Sequence, residues 1–417
     1  MRVSIVTSEP THPCSAGNRA RVLSITDQCV LLGHIVRIVL ISVDEEGIRE
    51  TSANYNGMVD IVRPDEIAER AKKAAEGLNP ANSAKEAIRK LKAVLGGILP
   101  EWIKVWKRFR KPPASRNDID RNMPLPIAEE AAGKINAFHP DVVIINYVYN
   151  SLILDLITPG AYKIIDTHDV FTDRYEMFKA IGMRPEFHSF TKEAEEKGLQ
   201  RADEIVAITS EEKIVFDRMH VPRCCVIGYI GETNTYSRHD NSKKTVFGIL
   251  GSANLLNKAS LDWLINEVLT EKSLMDTDFT LFVGGNINRL YTKKRMDPRI
   301  VFLGMVEYDA FYESVDVILN PMRVGTGLKI KSCEALACGK PLITTTTGAT
   351  GLSEGTDTAF LVADDPADFA AHMSKCAKNS QYRHKLANEA GIFMDRYIKT
   401  QCSMLEELLS RGAARRA

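Results

Sequence analysis

Short β-branched runs separated by helix-length stretches constrain this chain more than any other feature. The first half supplies VSIVT (3–7), HIVRIVLISV (34–43), DVVIINYVY (141–149), YKIIDTH (162–168), DEIVAITS (203–210) and CCVIGYI (224–230). The second half restarts the rhythm with TVFGILGS (245–252), FTLFVGG (279–285), RIVFLG (299–304), DVILNP (316–321) and KPLITTT (340–346). Runs of this kind suit strands covered on both faces, the pattern of parallel strands joined by crossover helices. At 417 residues the chain exceeds the length at which one hydrophobic core stops growing. The expectation is an α/β protein of two domains built as two copies of one architecture.

The polar segment ETNTYSRHDNSKK (232–244) has almost no large apolar side chain and cannot bury itself, so it reads as the interdomain linker. The domains are then 1–238 and 239–395, followed by a terminal helix over 396–417. Apolar residues at near-helical spacing in MDRYIKTQCSMLEELLSRG (394–412) let that helix either cap the second domain or cross back to the first. Residues 65–125 interrupt the strand rhythm and read as a helical insertion in the first domain. The stretch 91–113 mixes Trp102, Trp106 and Phe109 with many cations, and Pro100 breaks any single long helix there. From 72 to 111, eleven basic residues stand against three acidic ones. Such a segment suits an anionic membrane surface, here through residues 91–111, where each cation near lipid contributes about 1 kcal/mol. A solvated helical excursion packed on the first domain by its aromatic residues suits the same pattern.

Composition narrows the function classes. Lysine plus arginine balance aspartate plus glutamate at 54 each, so no global positive field marks a nucleic-acid binder. The eight cysteines show no C-x-x-C or zinc-type spacing and read as reduced, buried residues. The N-terminal MRVSIVTSEP lacks the parts of a secretory signal, and no apolar run reaches the ~18 residues of a membrane span. A cytoplasmic protein, peripheral at the inner membrane face if the basic segment binds lipid, is the expected location.

The stretch NPMRVGTGLKIKSCEALACGKPLITTTTGATGL (320–352) carries the chemistry. A strand ends at Pro321, a glycine-bearing loop follows, and a helix begins near Leu328. Gly325 and Gly327 remove side-chain bulk, so backbone N–H groups and the positive end of the helix approach a diphosphate closely. Lys329 and Lys331 add cations in the first turn, which cost roughly 0.3–1 kcal/mol each when exposed unless an anion meets them. Lys331 and Glu334 stand three residues apart on one helical face, the spacing of a ligand-binding pair and equally of a surface ion pair.

The run G-x-G-x-K-x-K-x-x-E-A-L-A-x-G-K-P-L-I-T-T resembles the donor-site signature of the large retaining glycosyltransferase family four. The resemblance implies the GT-B fold, two Rossmann-like domains facing a central cleft. It implies that Glu334 binds the ribose hydroxyls of a UDP- or GDP-sugar. Lys329, Lys331 and the amides of Gly325, Thr326, Gly327 and Leu328 would hold the diphosphate. Members often carry two glutamates separated by seven residues, and here Thr326 occupies the first of those places. FGILGSANLLNKASLDWLINEVL (247–269) resembles the opening of the family's second domain, placing Gly251 and Ser252 near the phosphates with Lys258 as a further cation. Gly284 and Gly285 occupy another strand end, and the resemblance spans 245–375.

In the first domain SAGNRARV (15–22) resembles the family's glycine loop, bringing Gly17 near the transferred sugar and Asn18 and Arg19 within reach of donor or acceptor. His168 and Asp169, just past a strand end, resemble the family's residues near the donor sugar, and a loop-capping histidine is the alternative. Asp118/Asp120 and Asp276/Asp278 match a metal-binding D-x-D spacing but follow no strand or sit in a polar turn, and a basic diphosphate site needs no metal. The chain therefore reads as a retaining, metal-independent glycosyltransferase of polysaccharide biosynthesis. Its partners would be a nucleotide sugar and a glycan, lipid-linked or small-molecule acceptor, with no cofactor. Two alternatives are a sugar-nucleotide 2-epimerase on the same fold and a non-catalytic nucleotide-binding module at a membrane surface.

Overall fold

The β-branched runs form two all-parallel sheets in a computed structural model that describes residues 1–14, 17–76, 116–180, 182, 188–238, 244–291 and 297–414. The first contains β1 (Arg2–Thr7), β2 (Ile35–Ile41), β3 (Val59–Val62), β4 (Val142–Asn146), β5 (Tyr162–Asp166), β6 (Glu204–Ala207) and β7 (Arg223–Val226). Their order is β3-β2-β1-β4-β5-β6-β7. The second contains β8 (Thr245–Leu250), β9 (Phe279–Gly284), β10 (Ile300–Gly304), β11 (Val317–Asn320), β12 (Leu342–Thr344) and β13 (Leu361–Val362), in the order β10-β9-β8-β11-β12-β13. Both are doubly wound sheets whose strand order reverses, between β1 and β4 in one and between β8 and β11 in the other. Each half is thus a Rossmann-like α/β unit.

Two strands escaped the sequence reading: β3, whose apolar run VDIV is interrupted by Asp60, and β13, which is only two residues long. The run 141–149 also overreaches. Strand β4 stops at Asn146, and Tyr147 turns the chain with φ +67° into the 3-10 segment Val148–Leu156.

Each unit has its own core. In the first, Val6, Val143, Ile145 and Ile165 pack with Ala128, Ala131 and Ile135 of the helix Leu125–Phe138. In the second, Phe247, Leu281, Val317 and Ile343 pack with Trp263, Leu264, Phe369 and Met373. At roughly 1.5–3 kcal/mol per fully buried large side chain, these cores dominate the stability.

By contacts, the first unit comprises Met1–Ile227 and Ser403–Ala417, and the second Gly228–Cys402. The division falls ahead of the 238/239 boundary drawn from polarity, and hydrogen bonding is the reason. The Asn234 amide donates to the Ala337 carbonyl (2.8 Å), and Arg238 pairs with Asp316 (2.7 Å), so the polar segment belongs to the second unit. The terminal helix is one element, Ser380–Ala414. Its last turns join the first unit through Arg411, whose guanidinium donates at 2.7 and 3.1 Å to the fully buried carboxylate of Glu204. Tyr162 Oη also donates to Glu204 (2.8 Å). Arg411→Ala leaves that carboxylate without its cation, and a loss of about 2 kcal/mol in urea unfolding is expected.

Of the insertion, the helix Pro64–Glu76 and the 3-10 turn Ile119–Asn122 are described. Residues 77–115, including Trp102, Trp106, Phe109 and the basic segment 91–111, lie outside the described residues. Among the described residues no helix is long and apolar enough to cross a membrane.

Candidate active site

Doubly wound sheets gather ligands beyond the carboxyl ends of their strands where the order reverses. In the second unit that point lies between the loop after β8 and the loop after β11, which hold the two motifs singled out from the sequence. Strand β11 ends in Asn320, whose buried amide donates to Ser332 Oγ (2.8 Å). Ser332 Oγ donates in turn to the Gly348 carbonyl (2.7 Å), and Thr344 Oγ1 donates to the Asn320 carbonyl (2.8 Å). These bonds fix the start of the helix Ile330–Ala337 against its neighbouring strand end.

Within the loop, Gly325 (φ +137°) and Gly327 (φ +72°) lie in the left-handed region that favours glycine. Lys329 is 9% exposed, and its ammonium turns back to donate to the carbonyls of Thr326 (2.6 Å) and Gly327 (2.8 Å). The sequence analysis places both Lys329 and Lys331 as first-turn cations for a diphosphate. The structure instead uses Lys329 to shape its own loop.

Lys331 is half-buried and bridges to the other motif. Its ammonium donates to Asn257 Oδ1 (3.2 Å), and Asn257 Nδ2 donates to the carbonyl and hydroxyl of Ser252 (both 2.9 Å). Ser252 and Lys331, predicted separately, are thus joined through Asn257, which sequence reasoning did not name. Its only signal was the S-A-N-L-L-N opening, where Asn254 caps the helix Leu255–Asn266 by accepting from the Asn257 amide. Burial pulls the Lys331 ammonium down to about 8. Burial likewise pushes the Glu334 carboxyl up to about 7, with Lys331 opposing. Glu334 also contributes to the raised phenols of Tyr308 and Tyr312, behind burial. A lysine and a glutamate are therefore set side by side, each at the cost of hydration.

Other predicted residues serve packing or are engaged elsewhere. A Cβ on Gly251 would meet Ile287 Cδ1 at 2.9 Å, and one on Gly284 would meet Leu250 Cδ2 at 2.9 Å. Lys258 pairs with Asp262 (2.5 Å). Both D-x-D pairs are partly engaged: Asp120 with Lys197 (2.6 Å) and Arg201 (2.7 Å), and Asp278 with Lys244 (2.8 Å).

In the first unit the corresponding strand ends are those of β1, β4 and β5. Gly17 opens the helix Gly17–Leu31, while Ser15 and Ala16 lie outside the described residues. Arg19 is drawn to Asp44 (2.9 Å) and Asp169 to Arg174 (3.2 Å). Asn18 stays at the strand ends, interacting with Glu9 and Tyr147. Glu9, which the sequence reading missed, has its carboxyl raised by burial against the opposing charge of Arg19. His168 is buried at φ +60° and stacks on Tyr147 with ring centroids 4.2 Å apart.

The fold is that of GT-B glycosyltransferases. Residues 244–379, which hold the whole Lys331–Glu334 site, match the family profile described as Glycosyl transferases group 1. Over 148 residues the chain is 23% identical to a Klebsiella pneumoniae protein described as an uncharacterized 44.6 kDa protein in the cps region. That alignment covers 33% of this chain and 38% of the relative. Sucrose-phosphate synthase from Thermosynechococcus elongatus superposes with a TM-score of 0.67 at 13% identity, covering 99% of both chains. Anabaena HepE, in complex with UDP and glucose, gives 0.62 at 13% identity over 99% of this chain and 100% of its own. TarM gives 0.67 at 9% identity over 99% and 98%.

Proposed function

We propose that this protein transfers a sugar from a nucleoside-diphosphate sugar, in the first instance a UDP-sugar, to a hydroxyl of a glycan or lipid-linked acceptor. The carrying observation is the Lys331–Glu334 pair beside the glycine loop after β11, inside the segment that matches the group 1 profile. Lys331, held toward Ser252 by Asn257, supplies the cation for the diphosphate, and the backbone amides of Gly325 to Leu328 supply oriented donors. Glu334 accepts from the ribose hydroxyls. The departing nucleoside diphosphate gathers negative charge as the sugar carbon becomes oxocarbenium-like, and this fixed cation and amide array stabilises that charge without a metal. Lys329 shapes the loop, and His168 and Asn18 meet sugar hydroxyls. Retention of configuration belongs to the same reading through the family-four resemblance. The cps-region relative supports a setting in polysaccharide biosynthesis.

A panel of UDP-, GDP- and dTDP-sugars, scored for thermal stabilisation and nucleoside-diphosphate release, tests this. Stabilisation by UDP-sugars with slow UDP release is expected. Interconversion of the free donor would point to an epimerase, and binding without turnover, even with acceptor glycans, to a non-catalytic module.

The shifted pair sets the pH profile. Diphosphate binding needs the Lys331 ammonium, which is lost as pH rises through about 8. Ribose binding needs the Glu334 carboxylate, which is lost as pH falls through about 7. UDP affinity in calorimetry should therefore peak between these values and fall on both sides.

A further inference from the structure

The polar core beneath His168 is built from Arg21, Asn146 and Asp166, to none of which the sequence analysis gave a role. Arg21, in the helix Gly17–Leu31, and Asp166, the last residue of β5, form an ion pair whose side chains are 3% and 1% exposed. Arg21 Nε donates to both carboxylate oxygens (3.0 and 2.9 Å), and its terminal nitrogen donates to Oδ1 (2.5 Å). Asp166 Oδ2 also lies 3.0 Å from Asn146 Nδ2 and 3.0 Å from His168 Nε2. Asn146 Nδ2 in turn lies 3.0 Å from the same imidazole nitrogen.

The ionised carboxylate favours a proton on Nε2. A lone pair on Nε2 would face an ionised carboxylate at hydrogen-bond distance, which is repulsive. A proton on Nε2 makes a charge-assisted bond to Oδ2, about twice as strong as the neutral amide contact it displaces. Arg21 holds the Asp166 carboxyl well below the usual carboxylate range against the opposing effect of burial, and so keeps that acceptor ionised. The Nδ1 atom has no hydrogen-bond partner among the described residues. The ring is clamped from two further sides, by the Tyr147 stack at 4.2 Å and by left-handed backbone at both Tyr147 and His168. Such strain, on the order of 1–3 kcal/mol per residue, persists where surrounding structure enforces it and gathers at functional sites.

We infer that Arg21, Asp166 and Asn146 are positioning residues that fix His168 with its proton on Nε2, leaving the Nδ1 lone pair to accept a hydrogen bond from a sugar hydroxyl. The hydroxyl part rests on the glycosyltransferase reading, whereas the proton placement does not. Of these four residues the family resemblance reached only His168; the clamp beneath it comes from the geometry.

Long-range proton–nitrogen NMR on histidine-labelled full-length protein at pH 8, with His168 assigned by loss of its signal in His168→Gln, decides the proton placement. An unprotonated Nδ1 and a protonated Nε2 are expected, and a proton on Nδ1 or averaging between the two forms overturns the inference. In Asp166→Asn, Arg21 claims the amide oxygen and turns the amide NH2 toward His168, so the proton should move to Nδ1. Turnover of UDP-glucose should then fall by about tenfold or more, the scale on which a hydrogen-bond partner matters to metal-bound imidazoles. Should that variant fail to fold, the wild-type spectrum decides alone. Titration with UDP, UDP-glucose and free glucose then identifies the hydroxyl. A shift of Nδ1 with UDP-glucose but not UDP assigns it to the donor, and a shift with glucose assigns it to the acceptor. Bound UDP-glucose and glucose that both leave Nδ1 unmoved overturn the hydroxyl role. Absence of any UDP-glucose binding would instead count against the glycosyltransferase reading and leave the proton placement standing.

Discussion

Lys331→Ala and Glu334→Ala are each expected to weaken UDP binding by roughly 10- to 150-fold, the equivalent of about 1.5–3 kcal/mol for a hydrogen bond to a charged group. Both proteins should fold. Lys331 is tied to Asn257 by a single 3.2 Å bond, and the Glu334 carboxylate accepts no hydrogen bond from a described residue, so neither truncation opens a core. Removing Lys331 even relieves an ammonium that burial already disfavours. Lys329→Ala provides the contrast: its ammonium holds the Thr326 and Gly327 carbonyls, so its loss should loosen the loop as well as weaken binding. Calorimetric titration with UDP, beside thermal melts of the free proteins, separates the two effects. Wild-type affinity in both Lys331→Ala and Glu334→Ala would move the nucleotide away from the loop after β11.

Gly285→Ala should cost about 3–5 kcal/mol. This residue adopts φ +92°, ψ 178°, a region essentially reserved for glycine, and a Cβ there would stand 2.3 Å from the Gly251 carbonyl oxygen. Backbone strain and overpacking each contribute on the order of 1–3 kcal/mol. The clash is with backbone, so no side-chain rotation relieves it. The same contact places Gly285 against the loop after β8, and the variant should lose UDP binding along with stability. Gly57→Ala isolates the strain, because Gly57 has φ +73° with nothing within 4 Å of where a Cβ would stand, and about 1–2 kcal/mol is expected there. Equal urea midpoints for the two variants would mean that the close approach of Gly251 and Gly285 is not what makes glycine necessary.

How much of the site was legible depended on whether its parts were close in sequence. The glycine loop, Lys331 and Glu334 fall within one short segment, where strand end, turn and helix face follow from local rules, so a single sequence displays them together. Asn257 lies far from Lys331 in the chain, and Asp166 far from Arg21. Asparagine, aspartate and arginine at such places carry no pattern of their own, because at a strand end or on a helix each is as ordinary when solvated as when buried in a network. That the Lys329 ammonium holds its own loop was not legible for a related reason. Whether an ammonium reaches outward or folds back on carbonyls depends on the path of the loop, set here by two left-handed glycines.

The sequence by itself determined the two parallel sheets and the place of their crossovers, since periodicity and apolar runs act over a few residues. It also determined that a glycine-bearing loop and a helix start follow β11. Tertiary structure alone decided which polar groups meet: Lys331 with Asn257, Arg411 with Glu204, and Arg21 with Asp166 beneath His168. Those pairings depend on how strands order themselves within a sheet. Burial then turns each pairing from an incidental contact into one that holds a side chain in place, because a charge removed from water must find its partner in the protein.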